Sequence, residues 1–191
     1  GYGEVFKQIL EYLHSTISEI RRAPKPVIAA VDGVAAAGGF GLAMCCDLVV
    51  ASSRAAFEWA YGKTALTGAE SSTFFLPRLL GLRRAMEMVL LNPRLDAETA
   101  RQAGLVTAVF PVDTFDAKAL ELAQQVASGP TRSYGVTKRL LNESAGVDRL
   151  AAQPPRHLSD MLFTTGEEPD IGPTELQPDP DRLAFANDDV R

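Results

Sequence analysis

The sequence predicts an α/β protein whose strands pair in parallel. Two observations carry this expectation. Residues 27–31 (Val-Ile-Ala-Ala-Val) and 48–50 (Leu-Val-Val) are short apolar runs without polar alternation, the pattern of strands buried on both faces. Between and around them lie longer stretches whose apolar residues recur every three or four positions, which is helical periodicity.

The first such stretch covers residues 4–22, where Val5, Phe6, Ile9, Leu10, Leu13, Ile17 and Ile20 define one apolar face. Pro24 and Pro26 end it. After the strand at 27–31, Asp32-Gly33 turns the chain and Gly38-Gly39 opens a second helix over residues 40–46, apolar nearly all round and therefore buried. Residues 48–50 and 56–61 are two further strands. A loop over residues 62–70 leads into a helix that starts near residues 71–73, with Pro77 in or near its first turn, where a missing N–H costs little. Residues 83–91 form another helix. Asp96 caps the next, with Glu98 in its first turn and Gly104 just past its end. Residues 105–110 are a strand, and Asp113 is the expected N-cap of a helix running to about residue 127. Gly129-Pro130-Thr131 opens a helix to about Asn142, and Pro154-Pro155 breaks a last helical pair.

Composition narrows the function classes. Net charge is -5 with no run of Lys or Arg, which argues against a nucleic-acid footprint. No apolar stretch approaches the roughly 20 residues that span a bilayer, and no charged-then-apolar leader opens the chain, so neither membrane nor secretion is expected. Cys45 and Cys46 are adjacent, a spacing unsuited to a structural staple, and they sit where an apolar helix would bury them. The expectation is a reduced, cytoplasmic chain. From about Thr164 the character changes: residues 164–191 hold eight Asp/Glu, two Arg and four Pro, a net charge of -6, which predicts an irregular tail.

The stretch richest in chemistry is residues 25–47, Lys-Pro-Val-Ile-Ala-Ala-Val-Asp-Gly-Val-Ala-Ala-Ala-Gly-Gly-Phe-Gly-Leu-Ala-Met-Cys-Cys-Asp. A buried strand feeds a turn and then a Gly-Gly pair at the start of a buried helix. That arrangement aims unpaired backbone N–H groups and the positive helix end at one spot, and a developing oxyanion would be stabilised there. The same residues also fit a closely packed turn with no ligand.

This stretch resembles the signature of the enoyl-CoA hydratase/isomerase (crotonase) superfamily: a Lys-Pro strand, an Asn/Asp-Gly turn, a glycine triplet opening a helix, and Ala-Met-x-x-Asp. Two more stretches match in order. One spans residues 57–78 and ends in Phe-Phe-Leu-Pro-Arg; the other is Arg83-Arg84-Ala85-Met86-Glu87-Met88 followed by Ala103-Gly104-Leu105-Val106. The resemblance covers roughly residues 4–145. It implies a spiral of ββα units (residues 1–112 being the later part of that core), a helical C-terminal region at 113–163 that builds trimers or hexamers, and the acidic tail at 164–191. It also implies that two or three more ββα units precede the first helix. The implied substrate is an acyl-CoA, with coenzyme A entering as part of the substrate rather than as a separate cofactor, and no metal.

By the same resemblance, Gly38 supplies one of two backbone N–H groups that hold a thioester enolate, and Ala37 replaces the first glycine of the triplet. The second donor belongs to an earlier segment. Lys25, Gly39, Tyr61 and Lys138 fall at positions that frame the CoA ester, although Lys138 read by itself is a solvated surface lysine. Hydratases of the family use two glutamates for proton transfer, as acid and base. Those positions are Gly41 and Tyr61 here. Isomerases and dehalogenase-like members carry a carboxylate in the loop matching residues 67–71. The direct match is Ala69, and Glu70 follows one residue later. Glu70 is thus the candidate proton carrier, and the implied chemistry leans to double-bond isomerisation rather than hydration. Glu70 also suits the start of the next helix as a favourable charge. The alternative is a catalytically impaired CoA-ester-binding or assembly subunit. Of Glu58 and Trp59, neighbours on a strand, Trp59 is expected to face the core. Asp47 is expected to position the helix–strand junction. His14 and His157 have no partner at catalytic or metal spacing and read as surface residues.

Overall fold

The computed structural model describes residues 2–69 and 71–144. Helix α1 (Tyr2–Arg22) carries Glu4 in its first turn and Arg21 and Arg22 in its last, charges that complement the helix dipole. Leu10 and Ile17 are buried, with Leu13 and Ile20 packed against the core beside them. This face is narrower than the periodicity predicts, because Val5 and Ile9 are exposed.

After the Pro24–Pro26 break come strands β1 (Ile28–Val31) and β2 (Val34–Ala36), then the buried helix α2 (Gly38–Cys45). The unit repeats as β3 (Leu48–Ser52), β4 (Ala56–Glu58) and helices α3 (Ser72–Leu80) and α4 (Leu82–Leu91). The first strands of the two units pair in parallel, Ile28 opposite Leu48, and the second strands do likewise, Ala36 opposite Glu58. Each ββα unit therefore sends one strand to each of two sheets, ordered β1-β3-β6 and β2-β4-β5. Strand β5 (Arg94–Asp96) closes the second sheet against β4 in antiparallel register, an exception to the parallel expectation, and β6 (Ala108–Phe110) closes the first.

Between β5 and β6 runs the short helix α5 (Ala97–Gln102), capped as expected by Asp96, whose carboxylate accepts the Thr99 N–H at 2.7 Å. Helices α6 (Phe115–Ala127) and α7 (Thr131–Ser144) follow. Two local expectations are corrected. Pro77 is the sixth residue of α3, beyond the first turn. Asp113 does not cap α6; it sits in a 3₁₀ turn, and the cap position is Thr114.

The core lies between the sheets and α2, α3 and α4. Phe40, Phe57 and Leu76 are each at most 1% exposed, and burying each contributes about 1.5–3 kcal/mol. Phe40 and Phe57 meet at 6.2 Å between ring centroids. The predicted helical pair after residue 145 and the acidic tail lie outside the described residues.

Helix α7 docks on the chain just after α1. Its Gly135 rests on Pro24, and a methyl group there would lie 2.6 Å from the Pro24 carbonyl carbon and 3.1 Å from its Cα. Backbone cannot yield as a side chain would. Gly135→Ala should therefore destabilise by about 1–3 kcal/mol, although Gly→Ala inside a helix ordinarily stabilises by about 1 kcal/mol. Urea midpoints at constant m-value report the sign.

Candidate active site

Helix α2 starts where β2 leaves its sheet. Ala37 is held there with its N–H on the Glu58 carbonyl at 3.1 Å, and its own carbonyl accepts the Gly41 N–H at 2.9 Å. Its backbone is in the sparsely populated φ 47°, ψ -116° region, a strained turn of the kind that persists only where the surroundings dictate it. The N–H groups of Gly38, Gly39 and Phe40 consequently stand at the helix start, where no intrahelical acceptor exists. Gly39 is exposed, and a Cβ built on it meets nothing within 4 Å. The positive end of α2 thus faces open space.

Beside this helix start runs the chain leaving β4. Trp59 and Tyr61 are both buried and meet edge to face at 5.1 Å. The loop before α3 crosses the indole at Gly68. A methyl there would lie 2.6 Å from Trp59 Cζ2 and 2.8 Å from Ser72 Oγ, so only glycine fits. Tyr61 does not continue the strand as expected; it opens a 3₁₀ turn, Tyr61–Thr64, after Ala60 in left-handed conformation.

Asn92 enforces that turn. Itself left-handed at the end of α4 (φ 49°), it accepts the Ala60 N–H at 2.8 Å and donates to Glu58 Oε1 at 3.2 Å. Glu58 is buried alongside Trp59, where only the tryptophan was expected to point inward, and its carboxylate pairs with Lys63. The Lys63 hydrogen bond holds the Glu58 carboxyl below its ordinary value of 4.5. A depressed carboxyl contributes stability that is complete above the ordinary value and is lost as pH falls through the depressed one. Glu58→Gln has no such titration. The difference in urea midpoint between wild type and Glu58→Gln is therefore expected to be largest near neutrality and to shrink below about pH 4.

The expected site residues divide between the two ends of α2. Gly38, Gly39 and Tyr61 lie at its N-terminal end or on the adjoining strand exit. Gly41 is buried in the first turn of α2, and Ala69 is half-buried against the core. Glu70 lies outside the described residues. Lys25 and Lys138 are at the opposite end of α2. Lys138 is not a solvated surface lysine: its ammonium is buried and donates to the carbonyls of Ile20 (2.6 Å) and Lys25 (3.2 Å) and to Asp47 Oδ2 (2.7 Å). Those contacts use its three hydrogens within the protein. Asp47 positions the junction as expected, also accepting the Val27 N–H at 2.8 Å.

Arg21 completes this cluster. It donates to the carbonyl of Cys45, the last residue of α2, at 2.9 Å, and bonds Asn142. Cys45 and Cys46 remain thiols, and burial pushes the Cys46 thiol up, away from the reactive thiolate. His14 is half-buried rather than at the surface, its Nδ1 2.7 Å from the Leu10 carbonyl. His157 lies outside the described residues. Among the described residues, no three His, Cys, Asp or Glu side chains converge as a metal site would require, and no helix is long and apolar enough to cross a membrane.

Comparison with known proteins accords with this geometry. The sequence profile described as enoyl-CoA hydratase/isomerase matches residues 6–170. The chain belongs to the enoyl-CoA hydratase/isomerase family. Its relatives include 4-chlorobenzoyl coenzyme A dehalogenase-1 of Arthrobacter sp., 39% identical over 134 residues, which cover 70% of this chain and 49% of the relative. Another is 1,2-epoxyphenylacetyl-CoA isomerase of Escherichia coli, 36% identical over 133 residues (70% and 51%). Among solved structures, an enoyl-CoA hydratase from Mycobacterium avium subsp. paratuberculosis superimposes with a TM-score of 0.71 at 34% identity, covering 74% of this chain and 58% of that one. The fold is the crotonase fold. The chain spans about half the length of the curated relatives it matches.

Proposed function

We propose that the whole protein acts on an acyl-CoA thioester, with the thioester oxygen held by the Gly38 N–H at the start of α2 and by a second N–H from an earlier segment. The observation that carries this reading is the strained Ala37 turn, which leaves the first N–H groups of α2 facing the open space beside Gly39. Charge that develops on the oxygen as the α-proton leaves is stabilised there. Glu70 takes that proton, and its return at the γ-carbon moves a C3=C4 double bond to C2=C3. Coenzyme A enters and leaves as part of the substrate, no separate cofactor takes part, and the helices after residue 113 assemble the protein as a trimer or hexamer.

Isomerisation is favoured over hydration because hydration in this family needs two carboxylates on the path of one water. Gly41 and Tyr61 stand at those positions, both buried. The same vacancies, together with Ala69, support a second reading: a subunit that binds CoA esters without turning them over.

Full-length protein offered trans-3- and trans-2-enoyl-CoA, followed at the conjugated thioester chromophore, tests the two readings. Conversion of the trans-3 ester to the trans-2 ester is the expected result. Loss of the trans-2 chromophore by hydration would overturn the isomerase reading. Tight binding of both esters without turnover would establish the binding-subunit reading.

A further inference from the structure

Away from the candidate site, at the C-terminal end of α2, the last turn of α1 and one face of α7 enclose a cleft of about 590 Å³. Four arginines line it. Arg21 and Arg22 come from α1; Arg132 and Arg139 come from α7, seven residues apart and therefore on one helix face about 10 Å apart. Between them Gly135 and Pro24 form a low floor without a projecting side chain.

The charge balance there is uneven. Four arginines line the cleft and no carboxylate does; Asp47 is shared by Arg21 and Lys138, and Glu143 stands 3.6 Å from Arg139. Arg22 and Arg132 are exposed and make no ion pair among the described residues. Arg21 turns its guanidinium inward, 5.4 Å from the Phe75 ring centroid with its Nε buried, so Arg22, Arg132 and Arg139 are the arginines that present charge to the cleft.

We propose that this cleft is a binding site for a small molecule carrying phosphate groups. Guanidinium forks match phosphate oxygens in pairs. Arginines facing each other from two elements suit an anion with more than one charge, and the volume is within the range of small-molecule sites. The cleft lies at the end of α2 opposite the Gly38 helix start.

Inorganic diphosphate titrated calorimetrically into the full-length protein is the test. Saturable binding is expected, weakened about tenfold or more in Arg22→Ala/Arg132→Ala and unchanged in Arg83→Ala/Arg84→Ala, a pair of exposed arginines on α4 outside the cleft. Because Arg22 and Arg132 are exposed and unpaired, their thermal melts should match wild type; the single Arg132→Gln variant is the second probe, expected to weaken binding in part. Repeating the titration with coenzyme A present identifies the source of the phosphate. Exclusion of diphosphate assigns the cleft to the phosphates of coenzyme A itself, and undiminished binding assigns it to a free phosphate compound. Absence of saturable binding, or equal weakening in both double variants, would overturn the proposal.

Discussion

Asp47→Ala is expected to cost about 3–5 kcal/mol of stability, the penalty for leaving one half of a buried ion pair behind. The Lys138 side chain is only 8% exposed and that of Asp47 19%. Without the carboxylate the Lys138 ammonium keeps two carbonyls and loses its only counter-charge among the described residues, the Val27 N–H loses its acceptor, and Arg21 loses an ion pair. Three parts of the chain come loose together, since these groups tie the end of α1 and the end of α2 to α7. Asp47→Ala/Lys138→Met removes both charges and should recover much of the loss, as replacement of buried pairs by apolar side chains often does. Urea unfolding of the single and double variants gives the coupling directly. A single-variant cost below about 0.5 kcal/mol, the range of ordinary surface substitutions, would contradict the network's role.

Glu70→Gln is expected to lower turnover by about 10²–10⁴-fold, the usual contribution of a positioned proton carrier. Glutamine keeps the shape and can still hydrogen-bond, but it cannot take a proton. The loss should therefore fall on kcat with acyl-CoA binding nearly unchanged, the signature of an interaction made only in the transition state. The resemblance to isomerase-like members implies that a loop carboxylate would fall at Ala69. Ala69→Asp added to Glu70→Gln should then restore part of the activity. Equal loss of binding and turnover in Glu70→Gln would assign the residue to structure instead.

The parts of this molecule that were legible in its sequence are those whose cause is local. The 27–31 run, the glycine pair and the apolar helix after it mark β1 and α2 to within about two residues. Asp96 declares itself as a cap because the N–H it accepts, that of Thr99, lies three residues on. Strands β2 and β5 went unread because each is three residues long and is made a strand by its partner: Arg94–Asp96 has a polar, largely exposed pattern and exists through pairing with β4. Lys138 resembles a surface lysine because its acceptors are 91 to 118 residues away in the chain. Glu58 likewise looked solvent-facing until Asn92, 34 residues later, and Lys63 supplied its partners. At the candidate site the glycines were readable as a helix start. The positive-φ alanines, Ala37 and Ala60, that aim the segments around it were not, because alanine carries no signal for a positive φ.

Exchange of α-protons is the most direct test of an enolate held at Gly38. A saturated acyl-CoA is incubated with full-length protein in D₂O and examined for deuterium at the carbon next to the thioester. Nothing but enolate formation is asked of the protein in this experiment. Incorporation is expected with wild type and its loss in Glu70→Gln; an acyl-CoA that binds but keeps all its α-protons would contradict an enolate held at Gly38.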